Sequence, residues 1–349
     1  MGLTTNDTLA LKGIAICLML FHHQFLTAVG YGGLTYSFAA VSKCCVSVFL
    51  FVSGYGLACQ WSALQSRVES PTKPAFWVRR MISFLLKRFS KFYFLYWFCF
   101  AVVLIAGILC GRGLADAYPD RLSPVKCLML DFFGLMGYNS YLPEWWFNKM
   151  ILQLYLLFPL FCLLLHSRVG TLLTLLAAAA LVQWTPVHLF CIEEGGLLVF
   201  LCGMALAHKP IAFSRKGNLW AAAVAVVLLV PLSLIRLNQS LLVSNAVIDT
   251  LMTLCLVLVW KGLSSFSKGR VTRWLGVHSS VTYLTHSLLL IILPWLCYPL
   301  PANVPMSVPI NYLAFLLLAT LVSWLLTMSR EWIGFNKLRD NVLLLIGKI

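Results

Sequence analysis

Lys12 and His23 stand eleven residues apart within one apolar stretch near the start of the chain. On an α-helix, eleven steps of about 100° make three turns plus about 20°, so both side chains share a face, about 16 Å apart along the axis. Lys12 then lies near one membrane surface and His23 near mid-depth. An ionisable group inside a bilayer is costly and faces a protein interior or a water cavity. A cation at the mouth and a histidine halfway in suit an anion that docks and a proton transfer that follows; a hydrogen-bonded structural histidine is the competing reading. His22 points about 100° away from His23 and is expected to pack against a neighbour. His286 reaches a similar depth, about 18 Å into another apolar stretch. It is open to a direct role or a structural hydrogen bond, and the two deep histidines, His23 and His286, also admit a bis-histidine haem.

A second group is cationic, Lys87-Arg88-Phe89-Ser90-Lys91. Arg88 and Lys91 are three residues apart and share a helical face. Charges of this kind can simply face anionic lipid, each worth about 1 kcal/mol. Next to the apolar run Phe92-Tyr93-Phe94-Leu95-Tyr96-Trp97, they also suit phosphate, for which arginine offers a bidentate fork. Ser53-Gly54-Tyr55-Gly56 is expected to interrupt its span, the glycines allowing close helix approach. A Ser53–His286 hydrolase pair lacks the usual glycine-flanked elbow, because Phe51 stands two residues before the serine. Glu193 and Glu194 diverge by about 100° on a helix and read as interfacial rather than as an acid–base pair.

The elements that position these groups must be membrane helices. Of 349 residues, 61% are apolar and 11% charged, against about 25% charged in soluble domains. The net charge of +15 follows from basic loops on the cytoplasmic side, and no nucleic-acid partner is expected. The twelve cysteines contain no CxxC pair and read as small buried hydrophobes. Neither a metal nor a tightly bound cofactor is expected. The segment Met1 to Leu11 has no Lys or Arg, so a cleaved secretory leader is not expected.

Apolar runs predict spans near 9–29, 41–61, 92–110, 145–165, 169–190, 193–208, 218–236, 245–262, 274–297 and 307–328. An eleventh candidate, 125–138, carries Lys126 and Asp131. The basic segment 62–91 should be cytoplasmic and the loop 30–40, without Lys or Arg, external. Lys209, Arg215 and Lys216, then Lys261 to Arg273, then the C-terminal tail also read as cytoplasmic. These assignments agree only if 125–138 does not cross. They leave Lys43, Arg112, Arg121, Lys126, Lys149 and Arg236 outside, of 26 Lys and Arg in all. The expectation is an all-α integral membrane protein, one polytopic domain over 1–349 with about ten transmembrane helices in a single bundle and both termini cytoplasmic. Pro299, Pro301, Pro305 and Pro309 predict a stiff external loop.

Five segments, in order, resemble the membrane acyltransferase-3 family. They are Leu11-Lys12-Gly13-Ile14-Ala15 running to His22-His23; Val48 to Tyr55; Arg88-Phe89-Ser90-Lys91-Phe92-Tyr93 through Tyr96-Trp97; Trp146-Phe147 with Leu154-Tyr155-Leu156-Leu157-Phe158-Pro159; and Leu275-Gly276 through Ser280, Tyr283-Leu284 and His286. The resemblance implies transfer of an acyl group, often acetyl, from cytosolic acyl-CoA (acetyl-CoA) as co-substrate to a hydroxyl of a sugar or lipid-linked glycan of the envelope. It also implies residence in a bacterial inner (plasma) membrane. His23 matches the family's catalytic base or acyl relay, and Lys12 matches an arginine set before it. Arg88 and Lys91 match an Arg-x-x-Arg pair that holds the CoA phosphates. Ser53, Tyr55, Trp146 and His286, within the matched motifs, are expected to line the substrates. Lys12 and Lys91 stand where the family carries Arg, keeping charge but losing the fork. Ile151 and Leu152 stand where many relatives carry paired glutamates, and the tail is too short for the extra periplasmic domain of some relatives. On the residues alone, a transporter or flippase of an anionic lipid-linked sugar could use the same cations.

Overall fold

The computed structural model describes residues 2–26, 32–67, 74–118, 123–184, 196–211, 214–238, 243–264, 266, 268–293, 304 and 306–347. Glu193, Glu194, Pro299, Pro301 and Pro305 lie outside them. The described residues are helical with no strand. In chain order the helices are α1 (Thr5–Phe25), α2 (Gly33–Val41), α3 (Cys45–Gln65), α4 (Pro74–Leu109), α5 (Leu114–Ala117), α6 (Pro124–Phe132), α7 (Trp146–Leu164), α8 (Arg168–Trp184), α9 (Gly196–His208), α10 (Arg215–Asn238), α11 (Asn245–Leu263), α12 (Arg270–Ile292), α13 (Ser307–Trp332) and α14 (Phe335–Ile346).

Among the described residues, eight helical stretches are long and apolar enough to cross a bilayer. Two further apolar helices, α8 and α9, have 17 and 13 residues, or about 26 and 20 Å. The nine-residue α6 covers about 14 Å, under half of a hydrocarbon core of about 30 Å.

Three local expectations are corrected. The helix of the third span begins well before residue 92: α4 runs 36 residues from Pro74. Proline suits a helix start, and no breaker follows before Gly107. At about 54 Å the helix outruns the hydrocarbon core by some 16 residues, which carry Arg79 to Lys87. The loop 30–40 contains α2, which follows from the apolar run Phe38-Ala39-Ala40-Val41. Ser53-Gly54-Tyr55 does not interrupt its span, because α3 is continuous from Cys45 to Gln65.

The chain forms two compact units. The first holds Met1–Val68 and Leu157–Ser279, the second Glu69–Leu156 and Ser280–Ile349. In the first unit, reciprocal glycines let helices meet backbone to backbone, the usual device where lipid removes the hydrophobic drive between helices. A Cβ on Gly54 would lie 2.3 Å from the Phe200 carbonyl oxygen, and one on Gly203 2.2 Å from that of Phe51, so α3 and α9 touch through both. Gly13 and Gly276 do the same for α1 and α12, at 1.8 Å from Thr272 O and 1.9 Å from Leu9 O. Gly56, by contrast, has nothing within 4 Å and is not a packing glycine. Arg236 proves to be no loop charge. It is buried at the end of α10 and its Nε donates to Asp249 Oδ1 of α11 at 2.8 Å, which neutralises a cation on the side expected to be external.

The second unit is built on an aromatic core. Tyr96 and Phe100 of α4 pack on Trp145, and Trp97 stacks on Phe132 with ring centroids 5.1 Å apart. The aromatic run of α4 is also a row of donors. Tyr93 OH donates to Phe133 O at 3.0 Å, Trp97 Nε1 to Phe132 O at 2.9 Å, and Tyr96 OH to Asp131 O. These carbonyls lie at the C-terminal end of α6 and its cap, where a helix leaves its last carbonyls without i+4 partners.

Candidate functional site

In the first unit, α1 is one unbroken helix, so the face shared by Lys12 and His23 is realised. Both side chains are half-buried. The helix starts at a reciprocal cap: Thr4 Oγ1 accepts from Asp7 N, and Asp7 Oδ2 accepts from Thr4 N at 2.8 Å. Asp7 also accepts from Trp260 Nε1 at 3.0 Å and Lys261 Nζ at 3.1 Å, tying α1 to the end of α11. Asn6, Asp7, Trp260, Ser264, Lys268 and Arg273 line a cleft of about 430 Å³ there.

His22 behaves as the spacing predicts, with Nδ1 2.7 Å from the Ala39 carbonyl of α2. That contact fixes the α1–α2 corner and leaves His23 on the adjacent face. Ser53 is half-buried in the middle of α3. The Tyr55 hydroxyl accepts from Leu3 N at 2.7 Å and donates to Leu3 O at 3.1 Å. Its polar end therefore holds the segment that leads into α1 and, through it, the cap at Asp7.

Four other expected site residues are in the second unit. Arg88 is half-buried with its guanidinium 6.0 Å from the Phe84 ring centre, and Lys91, one turn on, is exposed. Trp146 is half-buried and stacks on Tyr138. His286 is fully buried. Its Nδ1 sits 2.9 Å from Tyr283 O and 3.2 Å from Thr282 O, and its Nε2 3.2 Å from Ser287 Oγ. Carbonyls only accept, so Nδ1 carries a proton, and Nε2 is left facing the Ser287 hydroxyl.

Sequence reasoning passed over two carboxylates in this unit. Glu144, 5% exposed, meets the Ser287 hydroxyl, and its backbone carbonyl accepts from Tyr283 OH. Glu144, Ser287 and His286 thus form a buried polar chain beside Trp145, whose Nε1 donates to Leu284 O at 3.1 Å. Glu144 Oε1 and Asn148 Nδ2, one turn apart, are buried without hydrogen-bond partners. The run Pro143-Glu144-Trp145-Trp146 carried a signal, an acid beside two tryptophans at the head of a span, but only the fold brings α12 to it. Asp131 is the other carboxylate. Its Oδ2 accepts from Tyr118 OH at 2.8 Å and Tyr141 N at 2.6 Å. Burial holds its carboxyl above the ordinary range, with the Tyr141 N–H and Tyr118 hydroxyl pulling the other way.

Apolar helices that carry buried histidine and glutamate and a half-buried lysine, with a row of cations along the N-terminal half of α4, define a polytopic membrane protein with polar chemistry inside it. A family model described as an acyltransferase domain matches residues 10–328. The chain belongs to the acyltransferase 3 family. No curated protein and no solved structure shows significant similarity to it. Among the described residues, no group of three or more His, Cys, Asp or Glu could hold a metal ion.

Proposed function

We propose that this membrane acyltransferase moves an acyl group, most simply acetyl, from cytosolic acyl-CoA to a hydroxyl of a sugar or lipid-linked envelope glycan at a bacterial plasma membrane. The observation that carries the reading is the family match over residues 10–328, which spans both the Lys12–His23 helix and the Arg88–Lys91 helix. Arg88 and Lys91 hold the CoA phosphates, with Lys12 a further cation for the anionic donor. His23 takes the proton of the acceptor hydroxyl as that oxygen attacks the thioester carbonyl and CoA leaves as the thiol. General-base help of this kind gives about 10²–10⁴-fold. A brief acyl-His23 intermediate reaches the same product in two steps. The accompanying topology has ten spans, with both termini cytoplasmic and 125–138 outside the bilayer core.

Ligand-dependent stability and transfer test the reading together. Saturating CoA, at 100 times its dissociation constant, should stabilise the detergent-purified protein by about 2.7 kcal/mol. Arg88→Ala should lose that stabilisation. His23→Ala should keep it while failing to pass labelled acetyl from acetyl-CoA to the glycan fraction of membranes. Full transfer by His23→Ala removes His23 from the chemistry; a well-folded wild type unmoved by millimolar CoA removes the donor.

A further inference from the structure

The last helix is absent from the matched family segment, which ends at residue 328, yet it is packed against the basic stretch of α4. Phe335 at the start of α14 contacts Phe94 and Phe98, with ring centroids 5.5 and 5.8 Å away. At its far end Ser83 Oγ donates to Ile346 O at 3.2 Å. A Cβ on Gly347 would lie 3.3 Å from Lys87 Nζ. The two helices therefore run antiparallel. Lys87 sits at the C-terminal end of α14, where a cation is favoured by the partial negative charge of unpaired carbonyls. Lys87 and Ser83 are accordingly taken up in holding α14 in place.

What this packing delivers is Arg339. Lys91 lies within the electrostatic reach of Arg88, Lys87 and Arg339, against a single acid, Asp340. Arg330, at the end of α13, lies within reach of Arg339 and of the acid Glu331, and its Nε is buried without a hydrogen-bond partner. Arg339 is engaged by Asp340, its Nε and Nη2 2.9 and 2.8 Å from Oδ1. That pair is half out in solvent, with the Asp340 side chain 56% exposed, and exposed pairs of this kind contribute little and yield easily to a better anion. Cations crowded together repel unless a counter-anion joins them, and guanidinium matches a phosphate with two parallel hydrogen bonds.

We propose that α14 completes the donor's phosphate site, with Arg339 joining Arg88 and Lys91 on the phosphates of the CoA nucleotide. This rests on the acyl-CoA reading above. Lipid phosphate shares the chemistry, but a phospholipid headgroup brings only one or two charges to a cluster that holds Arg88, Lys91, Arg330 and Arg339. A CoA nucleotide brings a pyrophosphate together with a phosphate monoester that alone carries about −1.5 to −2.

The test uses the full-length protein in detergent, with CoA affinity read by thermal shift. Arg339→Ala should weaken CoA binding about tenfold or more, the scale of one charged hydrogen bond, and Arg339→Lys should recover part of it. Lys337→Ala removes the same charge from the same helix two residues earlier, about 200° round, and should leave affinity within about twofold. Equal losses in Lys337→Ala and Arg339→Ala would mean diffuse attraction and overturn the assignment. So would a loss of stabilisation by phosphatidylglycerol in mixed micelles with CoA affinity intact, which would give Arg339 to lipid. If Arg88→Ala abolishes CoA binding while Arg339→Ala binds as wild type does, the donor reading stands and this inference falls. A wild type that does not bind CoA ends both.

Discussion

At the scale of single residues, the deep polar groups differ in what holds them. His286 is locked by carbonyls on one nitrogen and a serine on the other. Lys12 and His23 are half-buried on a shared face, legible from spacing alone because both lie on one helix. Glu144 and Asp131 were not legible as a buried network member and a bracket. Their partners Ser287, Tyr118 and Tyr141 come from elsewhere in the chain, and helical period carries no information about such pairings. Asp131 offers a titration. Its carboxyl is held above its ordinary value of about 3.9 because burial disfavours the charged form. The folded state then binds the proton more tightly than the unfolded one, so this group's contribution to stability falls as pH rises from the unfolded value through the folded one. Asp131→Asn keeps an acceptor for Tyr141 N and Tyr118 OH but cannot ionise. The melting temperature of wild type minus that of the variant should therefore decline with rising pH across that interval. A flat or rising difference would show that Asp131 is not held in its protonated form.

At the scale of elements, the spans were readable because apolar runs of about 20 residues have few alternatives in a bilayer. Helix ends were less so. The start of α4 was hidden by its own basic residues, since Lys and Arg mark the cytoplasmic side whether the backbone is coil or helix. Nor does sequence separate the packing glycine of α3 from its idle neighbour, because both sit in the same small-residue pattern. Gly54→Ala puts a methyl 2.3 Å from the Phe200 oxygen and should cost about 1–3 kcal/mol as overpacking. Gly56→Ala meets nothing and should be neutral or stabilise by up to about 1 kcal/mol through helix propensity. Thermal melts of the two variants in one detergent check the contrast; equal losses would mean that α3 and α9 do not touch through Gly54.

At the scale of the whole molecule, the charge asymmetry carries more than the helix count does. Among the described residues eight stretches are long and apolar enough to cross, and the proposed ten-span topology adds the short α8 and α9. Among the described cysteines Cys110, just past α4, is exposed and falls on the side expected to be external. A membrane-impermeant maleimide applied to intact cells should label wild type more than Cys110→Ser, and a C-terminal reporter active only in cytoplasm should be on. Label that reaches Cys110 only after lysis would reverse the orientation.

Between Pro74 and Gly107, α4 contains neither proline nor glycine, and sharp bends in long helices arise at such residues or at comparable faults in the hydrogen-bond ladder. The helix that presents Arg88 and Lys91 near its middle therefore grips α6 and Trp145 over the next turns as part of one stiff rod. A tilt imposed on its basic N-terminal half is passed directly to the aromatic segment that follows, with no joint between them to absorb the motion.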